Sequence, residues 1–222
     1  MTKRILVIAP HPDDETLAVG GTIAKHADQG NQVAVLIVSG HLPPLYDRAS
    51  YETTVREAKQ AFEILGVSES RFLEIPTSMI GAQPAGFVNG KITEAIEELN
   101  PEIVLCPFPD RHIDHRLVFE SAMVATRPRG AGRAIRLLAA YETLSETHWN
   151  APQIEPNFVP NLIVDITAQI ERKIKALKCY ESQIQAFPGA RSVEAADALA
   201  KFRGSQAGFA FGEGFQIIRM ID

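Results

Sequence analysis

Two short segments of the chain concentrate side chains that can bind a metal ion or move protons. The first, HPDDE at 11–15, places one imidazole and three carboxylates within five positions, directly after an apolar run. The second, DRHIDH at 110–115, holds two histidines and two aspartates about a hundred residues later. Carboxylates crowded in this way repel one another unless a cation or solvent compensates their charge. The two segments therefore predict a cation site.

The spacing inside each segment suits convergence on one ion. His11 and Asp14 are three positions apart at a predicted strand-to-helix turn, and the histidines 112 and 115 have the same spacing. A catalytic zinc commonly takes three His, Asp or Glu ligands and leaves one position for water, whose pKa it lowers. A neighbouring carboxylate that is not a ligand can accept the proton of that water. Asp13, next to Asp14, is the candidate base.

The elements that must position these side chains follow from the alternation of apolar runs and amphipathic stretches. Strands are predicted at 4–10, 32–40, 71–76, 102–108 and 135–142. Helices are predicted at 15–29, 51–65, 90–99 and about 114–126. This rhythm is typical of βαβ units. The predicted fold class is α/β: a Rossmann-like, doubly wound and mostly parallel sheet with helices on both faces.

The last third of the chain is less regular and predicts a C-terminal α/β extension that packs around the site. Its predicted elements are a strand at 161–167, helices at 168–184 and 192–204, and a closing strand at 214–220. Residues 1–222 are expected to form a single domain. The two long loops with Pro and Gly, 40–50 and 76–90, are typical of functional loops.

In an open parallel sheet, ligands bind beyond the carboxyl ends of the strands, where the strand order reverses. With the order 3-2-1-4-5, the first and fourth strands flank that point. HPDDE follows the first strand, and FPDRHIDH at 108–115 follows the fourth. The two segments are therefore predicted to face each other across one crevice, with the carboxylates holding a cation.

Two simpler interpretations compete for these segments. HPDDE can be a strand-to-helix turn in which an aspartate caps the helix and the acids favour its dipole. The pairing with the second segment favours metal binding instead. Gly20 and Gly21 resemble part of a dinucleotide loop but lack the G-x-G-x-x-G spacing, so close helix–sheet packing is predicted there.

Composition excludes several classes of protein. The 222 residues are 45% hydrophobic with a net charge of −5, which argues against nonspecific binding to nucleic acid. The apolar run near the start is too short for a signal peptide or a membrane span. No membrane insertion is therefore expected, and a cytoplasmic location is predicted. The two cysteines form no metal or redox spacing.

The motifs resemble those of the LmbE/PIG-L family of zinc-dependent N-acetylglucosaminyl deacetylases. APHPDDE is similar to the family's AHPDD motif, and HIDHR is similar to its second motif. Later segments resemble the family along essentially the whole length: REAKQAFEILGV (56–67), YETLSETHW (141–149), KALKCYESQI (175–184) and FRGSQAGFAFGEGFQIIR (202–219).

The resemblance implies a role for each polar residue of the two motifs. The implied zinc ligands are His11, Asp14 and His115, and Fe²⁺ or another divalent ion suits the same donors. Asp13 is implied to be the general base. His112 would stabilise the transition state or protonate the leaving amine, and Asp114 would orient and polarise His112.

The implied reaction is hydrolysis of the acetamide of an N-acetylated amino sugar or glycoconjugate, which releases acetate and a free amine. The partner is thus a small-molecule amino-sugar substrate, and the resemblance also suggests a homo-oligomer. Candidate substrate contacts are Arg56, Glu57, His41, Tyr141 and Trp149. Two alternatives stay open: an amidase on a glucosaminide conjugate or antibiotic-like intermediate, and a non-catalytic, Rossmann-like metal-binding protein with a closed site.

Overall fold

The computed structural model describes residues 2–222 and builds a seven-stranded sheet flanked by helices. The strands are β1 (Arg4–Ala9), β2 (Gln32–Gly40), β3 (Glu69–Pro76), β4 (Ile103–Pro107), β5 (Leu137–Tyr141), β6 (Leu162–Asp165) and β7 (Gly212–Met220). The helices are α1 (Asp14–Asp28), α2 (Arg48–Leu65), α3 (Ala85–Leu99), α4 (Ile113–Ala125), α5 (Leu144–Thr147), α6 (Ile170–Leu177) and α7 (Val193–Ser205).

The sheet has the order β3-β2-β1-β4-β5-β7-β6. The first five strands in this order pair in parallel, while β7 runs antiparallel to both β5 and β6. The predicted order 3-2-1-4-5 is confirmed, and the α/β fold class with it. The closing strand inserts between β5 and β6, which joins the C-terminal extension to the same sheet.

The central strand β1 shows why the predicted strands are nearly continuous apolar runs. Ile5 and Val7 pack on one face of the sheet in a core that includes residues of α1, α2 and α6. Leu6 and Ile8 pack on the opposite face with residues of α3 and α4. Successive strand side chains point to opposite faces, so a strand covered on both sides needs apolar residues at every position.

The helix predicted at 168–184 is shorter than expected. It is α-helical only over Ile170–Leu177, and turns follow. The physical reason is a set of side-chain contacts that compete with the helical ladder. The amide of Ser182 donates to Glu57 Oε1 at 3.0 Å, and the hydroxyl of Tyr180 donates to a buried glutamate of α1. The chain after α6 is therefore free to pass beside the crevice.

Helix α1 is kinked at Val19, where φ is −130°. The amide groups of Gly21 and Thr22, after the kink, donate to the carboxylate of Glu213 on β7 at 2.8 and 2.7 Å. Lys173 of α6 compensates that buried carboxylate at 2.6 Å. A Cβ on Gly21 would lie 2.6 Å from the side chain of Ile166, so the predicted close packing is confirmed. The C-terminal extension therefore anchors the helix that begins at the HPDDE segment.

The sheet order places the two polar segments together. Strands β1 and β4 are parallel neighbours, and the chain leaves both at the same edge of the sheet. The HPDDE segment leads from β1 into α1, and the DRHIDH segment leads from β4 into α4. Within residues 2–222, no helix is long and apolar enough to cross a membrane.

Candidate metal centre and active site

Three side chains from the two segments converge at the crevice. His11 Nδ1 lies 3.2 Å from Asp14 Oδ2, and His115 Nε2 lies 3.2 Å from the same oxygen. One ligand atom from each residue lies within 4.8 Å of the other two. All three side chains are buried. The structure thus brings together the three residues that the sequence nominates as ligands.

The donor set fits a divalent cation. Asp14 Oδ1 and His115 Nε2 are buried and have no hydrogen-bond partner among the residues that the structure describes. Buried polar atoms without a partner are costly, and a shared ion would satisfy both at once. Two imidazoles and one carboxylate are also the ligand count of a catalytic site that keeps a position open.

Each histidine of this cluster has a carboxylate on its other ring nitrogen. His11 Nε2 lies 2.9 Å from Asp114 Oδ2, and His115 Nδ1 lies 3.0 Å from Asp110 Oδ2. Histidines that bind metals are commonly oriented in this way, because the carboxylate fixes the tautomer and raises the basicity of the ligating nitrogen. Thr147 Oγ1 donates to the same oxygen of Asp110 at 2.9 Å and holds it in place.

The Asp110→Asn variant is expected to bind the metal about 10- to 100-fold more weakly. The asparagine keeps an oxygen for the amide of His112, which donates to Asp110 Oδ1, but it presents an NH₂ group to His115. Competition with a chromogenic chelator would measure the affinity, with the surface variant Asp197→Asn as the control. An affinity within twofold of the wild type would contradict this role of Asp110.

The carboxylate of Asp114 does not orient His112, and this corrects the sequence-based expectation. Asp114 Oδ2 contacts His11 and accepts from the amide of Ser78 at 2.7 Å. His112 is the N-cap residue of α4, and its Nδ1 accepts from the backbone amide of Asp114 at 3.1 Å. The reason is local: the first turn of α4 directs the amide, and not the carboxylate, of Asp114 at the ring.

This capping bond determines the tautomer of His112. A backbone amide only donates, so Nδ1 is unprotonated and the proton lies on Nε2. Burial and the nearby His11 and His115 lower the pKa of His112 to about 4. His112 is therefore a neutral hydrogen-bond donor facing the crevice.

The protonation of the two cluster histidines predicts how metal binding depends on pH. Burial lowers the pKa of His11, but its bonds to Asp114 and Asp14 outweigh burial and raise it to about 9. For His115, burial likewise opposes charge, and Asp14 and Asp110 raise its pKa to about 10. Below these values the metal-free protein holds a proton on each ring.

Because a ligating imidazole must be neutral, metal uptake at pH 7 is expected to release about two protons. The apparent affinity should therefore rise steeply with pH up to about 9, where His11 loses its proton unaided, and less steeply up to about 10, where His115 does. Calorimetric titrations of zinc in buffers with different ionisation enthalpies would count the protons. Uptake without proton release at pH 7 would contradict the assignment of these two histidines.

Asp13 occupies the N-cap position of α1 but makes no capping bond with its side chain to the described residues. Its φ of 127° lies in the region that favours glycine, a conformation that costs about 1–3 kcal/mol. The carboxylate is turned toward the crevice, where Oδ2 accepts from Arg191 Nη1 at 3.1 Å. Asp13 Oδ1 is buried and has no partner within residues 2–222. The interpretation of HPDDE as a plain capped turn does not explain this geometry.

Burial raises the pKa of Asp13 to about 7, although the Arg191 guanidinium lowers it. A carboxylate with a pKa near neutrality can accept a proton and pass it on during one reaction cycle. Strain and a perturbed pKa at one buried residue beside a metal cluster are typical of a catalytic position.

The third carboxylate of HPDDE has a different function. Glu15 is fully buried and turns away from the cluster, and burial raises its pKa. It accepts from Tyr180 Oη at 2.5 Å, from Thr16 Oγ1 at 2.7 Å and from the amide of Asp13 at 3.2 Å. Glu15 therefore stabilises the turn and does not contribute a charge to the metal cluster.

The crevice opens into two adjoining cavities. The smaller, of about 170 Å³, lies beside the cluster and is lined by His11, Pro12, Asp13, His41, Leu45, Tyr46, Thr77, Ser78, His112, Glu146, Gln183 and Arg191. The larger, of about 540 Å³, shares His41, Tyr46, Gln183 and Arg191 with it. We name them the catalytic cavity and the outer cavity.

Of the five predicted substrate contacts, only His41 lines these cavities. Its ring lies 4.3 Å from that of Tyr46. Tyr141 is fully buried, and its hydroxyl donates to the carbonyl of Ile8 at 2.8 Å. Its position at the end of β5 directs it into the sheet interface and not toward the crevice.

The other three candidates lie elsewhere. Arg56 lines a separate groove on the outer side of α2. Glu57 is buried and holds Ser182 through two hydrogen bonds. Trp149 is 61% exposed and lies outside the cavity lining. The helix and loop patterns placed these residues near the site but did not determine which way their side chains point.

Sequence reasoning missed Asp110 and Arg191. Asp110 belongs to the DRHIDH segment, five positions before His115, so its motif carried a signal. Arg191 gave none, because it lies in an irregular segment 178 positions after Asp13. It is held by Ser145 and Glu146 of α5, at 3.1 and 3.8 Å, in the orientation that reaches Asp13.

An α/β fold with a buried His/Asp/His cluster at the switch point of its sheet, and a further buried carboxylate beside it, is typical of single-metal hydrolases. The family described as PIG-L: GlcNAc-PI de-N-acetylase matches residues 6–126, which include both segments. The chain belongs to this family. The deacetylases of the family are metal-dependent.

Several curated relatives match most of the chain, and two of them illustrate the compounds for which these relatives are named. The probable N-acetyl-alpha-D-glucosaminyl L-malate deacetylase 2 of Bacillus cereus is 30% identical, over 84% of this chain and 86% of its own length. The diacetylchitobiose deacetylase of Thermococcus kodakarensis is 28% identical, over 97% of this chain and 83% of its own length. Both relatives are named as deacetylases of glucosamine-containing compounds.

A solved structure of an enzyme with a different reaction has the same fold as this chain. GalB, the 4-carboxy-2-hydroxymuconate hydratase of Pseudomonas putida KT2440, superimposes with a TM-score of 0.80 at 22% identity. The alignment covers 100% of this chain and 99% of GalB. The architecture thus also occurs in a hydratase, and the reaction must be argued from the site.

Proposed function

We propose that this protein is a metal-dependent N-deacetylase that hydrolyses the acetamide of an N-acetylated amino sugar or glycoconjugate. The observation that carries the proposal is the carboxylate of Asp13, which has one oxygen held by Arg191 and the other free beside the metal cluster. A structural metal site has no use for a strained, buried carboxylate with one oxygen left without a partner. The family and the named relatives support the same reaction.

We assign the metal to His11, Asp14 and His115, and we propose Zn²⁺ as the ion. Fe²⁺ or another divalent ion suits the same donors. The order of metal affinities alone does not decide which of these ions the site binds in a cell. When bound, such an ion polarises a carbonyl and makes water more acidic. Reconstitution with each metal under anaerobic conditions, followed by activity measurement, would identify the native ion.

The proposed proton transfers use Asp13, which Arg191 holds in place. Asp13 Oδ1 accepts a proton from the water that attacks the amide carbon, while Arg191 holds Oδ2 and keeps the carboxylate oriented. As the carbon–nitrogen bond breaks, Asp13 passes this proton to the leaving nitrogen. The second proton of the water leaves the carboxyl product for the amine or for solvent. The products are therefore acetate and the amine, and Asp13 returns to its starting state.

His112 is placed to stabilise the transition state. Its Nε2 carries the proton and faces the catalytic cavity, so it can donate a hydrogen bond to the oxygen that becomes negative. The other sequence-based role, protonation of the leaving amine, would require a charged ring with a proton on both nitrogens. The capping bond from the Asp114 amide to Nδ1 opposes this.

The family and the named relatives support an amino-sugar compound as the substrate. The partner is a small amino-sugar conjugate that the crevice can admit. The single domain over 1–222, the homo-oligomer and the cytoplasmic location stay predictions.

The test is acetate release by zinc-loaded protein from a panel of N-acetyl sugars, each with a chelated control. The panel includes N-acetylglucosamine, its disaccharide, a nucleotide-linked form and inositol- or lipid-linked forms. Acetate that disappears on chelation would confirm the reaction. Zinc binding without acetate from any member would contradict it.

The amidase alternative requires a larger acyl group in the same site. The catalytic cavity of about 170 Å³ favours a small one. Conjugates with butyryl and octanoyl amides, assayed beside the acetamide, would separate the two activities. Faster cleavage of the longer chains would favour the amidase.

A further inference from the structure

We propose that this chain selects substrates whose aglycone, the group attached to the amino sugar, is neutral and rich in hydroxyls, and that it disfavours a carboxylate-bearing aglycone. The inference rests on the proposed deacetylase function. It identifies the outer cavity as the aglycone subsite and its charge as the origin of selectivity.

The position of the outer cavity determines what it can hold. It shares four wall residues with the catalytic cavity, so a sugar whose acetamide reaches the metal cluster extends its attached group into it. Its volume of about 540 Å³ lies within the range of about 300–1,000 Å³ that is usual for small-ligand pockets. The cavity therefore has room for an aglycone of about one further ring.

The wall of the outer cavity is polar and mostly uncharged. Side chains that both donate and accept hydrogen bonds predominate in it: Tyr46, Ser50, Thr53, Thr54, Ser182 and Gln183. Hydroxyl groups of a ligand also donate and accept. Burial lowers the pKa of His41, with His11 and Arg191 adding to the effect, which disfavours a charge on this imidazole. The hydroxyl groups of a polyol can thus find hydrogen-bond partners on several sides of the cavity.

The one permanent cation among the described wall residues is already engaged. Arg191 donates to Asp13 Oδ2 at 3.1 Å and lies 3.8 Å from Glu146 Oε1. An aglycone carboxylate that bound Arg191 would compete with the carboxylate proposed as the general base. A carboxylate that enters the cavity gives up part of its hydration, and no unengaged cation of the described wall compensates this loss.

The wall also carries a negative charge of its own. Asp47 is the N-cap residue of α2, where it accepts from the amide of Ser50 at 2.7 Å, and it forms no ion pair within residues 2–222. Its carboxylate offsets the positive end of the helix dipole, which would otherwise attract an anion. The arginines of α2 point elsewhere: Arg48 pairs with Glu74, and Arg56 lines the separate groove.

The two curated relatives supply the probes. Their names give a malate conjugate, which is anionic, and diacetylchitobiose, which is neutral, and their identities to this chain are nearly equal. With zinc-loaded protein, we expect kcat/KM for diacetylchitobiose to exceed that for N-acetylglucosaminyl malate by at least about tenfold. An equal value, or a preference for the malate conjugate, would overturn the inference. Absence of acetate from both, and from the rest of the sugar panel, would instead reject the proposed function.

A pair of variants on one helix tests whether charge is the cause. Asp47→Asn keeps a capping side chain but removes the wall carboxylate, since asparagine caps helices as well as aspartate does. It should raise the ratio of kcat/KM for the malate conjugate to kcat/KM for diacetylchitobiose about three- to tenfold. Glu52→Gln removes the same charge from α2 but lies outside the cavity lining, and it should leave both values unchanged. Equal effects of the two variants, or no effect of Asp47→Asn, would overturn the charge argument.

Discussion

The Asp13→Asn variant is expected to lose about 10²- to 10⁴-fold in kcat while it keeps its metal. Asparagine retains an oxygen that can accept from Arg191 and tolerates the positive φ of 127° better than most residues. It cannot accept the proton of the attacking water. Because the three ligand residues are unchanged, the affinity for the metal should remain close to that of the wild type.

Metal content by mass spectrometry and acetate release on the same preparation would test this prediction. Asp28→Asn is the matched control, because Asp28 lies in the last turn of the same helix, at the opposite end from Asp13. Its kcat should stay within about twofold of the wild type. Nearly full activity of Asp13→Asn with bound metal would show that another group takes the proton.

The His115→Ala variant is expected to lose both the metal and the activity. Two donors, His11 and Asp14, would remain, and they are too few for a tight zinc site. The substitution also leaves Asp110 facing a space where its imidazole partner was, so the buried carboxylate loses a hydrogen bond. In the wild type, added zinc should stabilise the fold by about 4 kcal/mol at a thousandfold excess over Kd, and the variant should lose this effect.

Thermal unfolding with and without zinc, read beside the metal content, would measure this loss. His26→Gln provides the control, since His26 lies on α1 but contacts Asn31 and not the cluster. It should retain the zinc-induced shift in Tm. A His115→Ala protein that binds zinc stoichiometrically and releases acetate would remove His115 from the ligand set.

Most of the fold could be predicted from the sequence because hydrophobic burial repeats at short range. Strands β1, β2 and β4 are covered on both faces, and their unbroken apolar runs show it. The short connections then leave few sheet orders, and the predicted one is present. The length of the helix predicted at 168–184 was overestimated. Contacts of Glu57 and Tyr180 with residues of other elements end this helix early, and the helix's own sequence does not show them.

The sequence by itself determined which residues could meet at the metal cluster. His11 and Asp14 follow one strand and His115 the neighbouring one, and parallel neighbours deliver their carboxyl ends to the same edge. This result needs only strand order and short spacings, both of which are local properties of the chain.

Only the tertiary structure decided what each polar side chain does there. Asp114 is hydrogen-bonded to His11, and Asp110 is hydrogen-bonded to His115. Glu15 turns back to the helix. Asp13 pairs with an arginine that lies 178 positions away in the sequence. Hydrogen bonds form only within a few tenths of an ångström of their preferred lengths, so these partners depend on how distant elements pack. Apolar burial tolerates such shifts and leaves a periodic pattern in the sequence, whereas a hydrogen-bond partner from a remote loop leaves none.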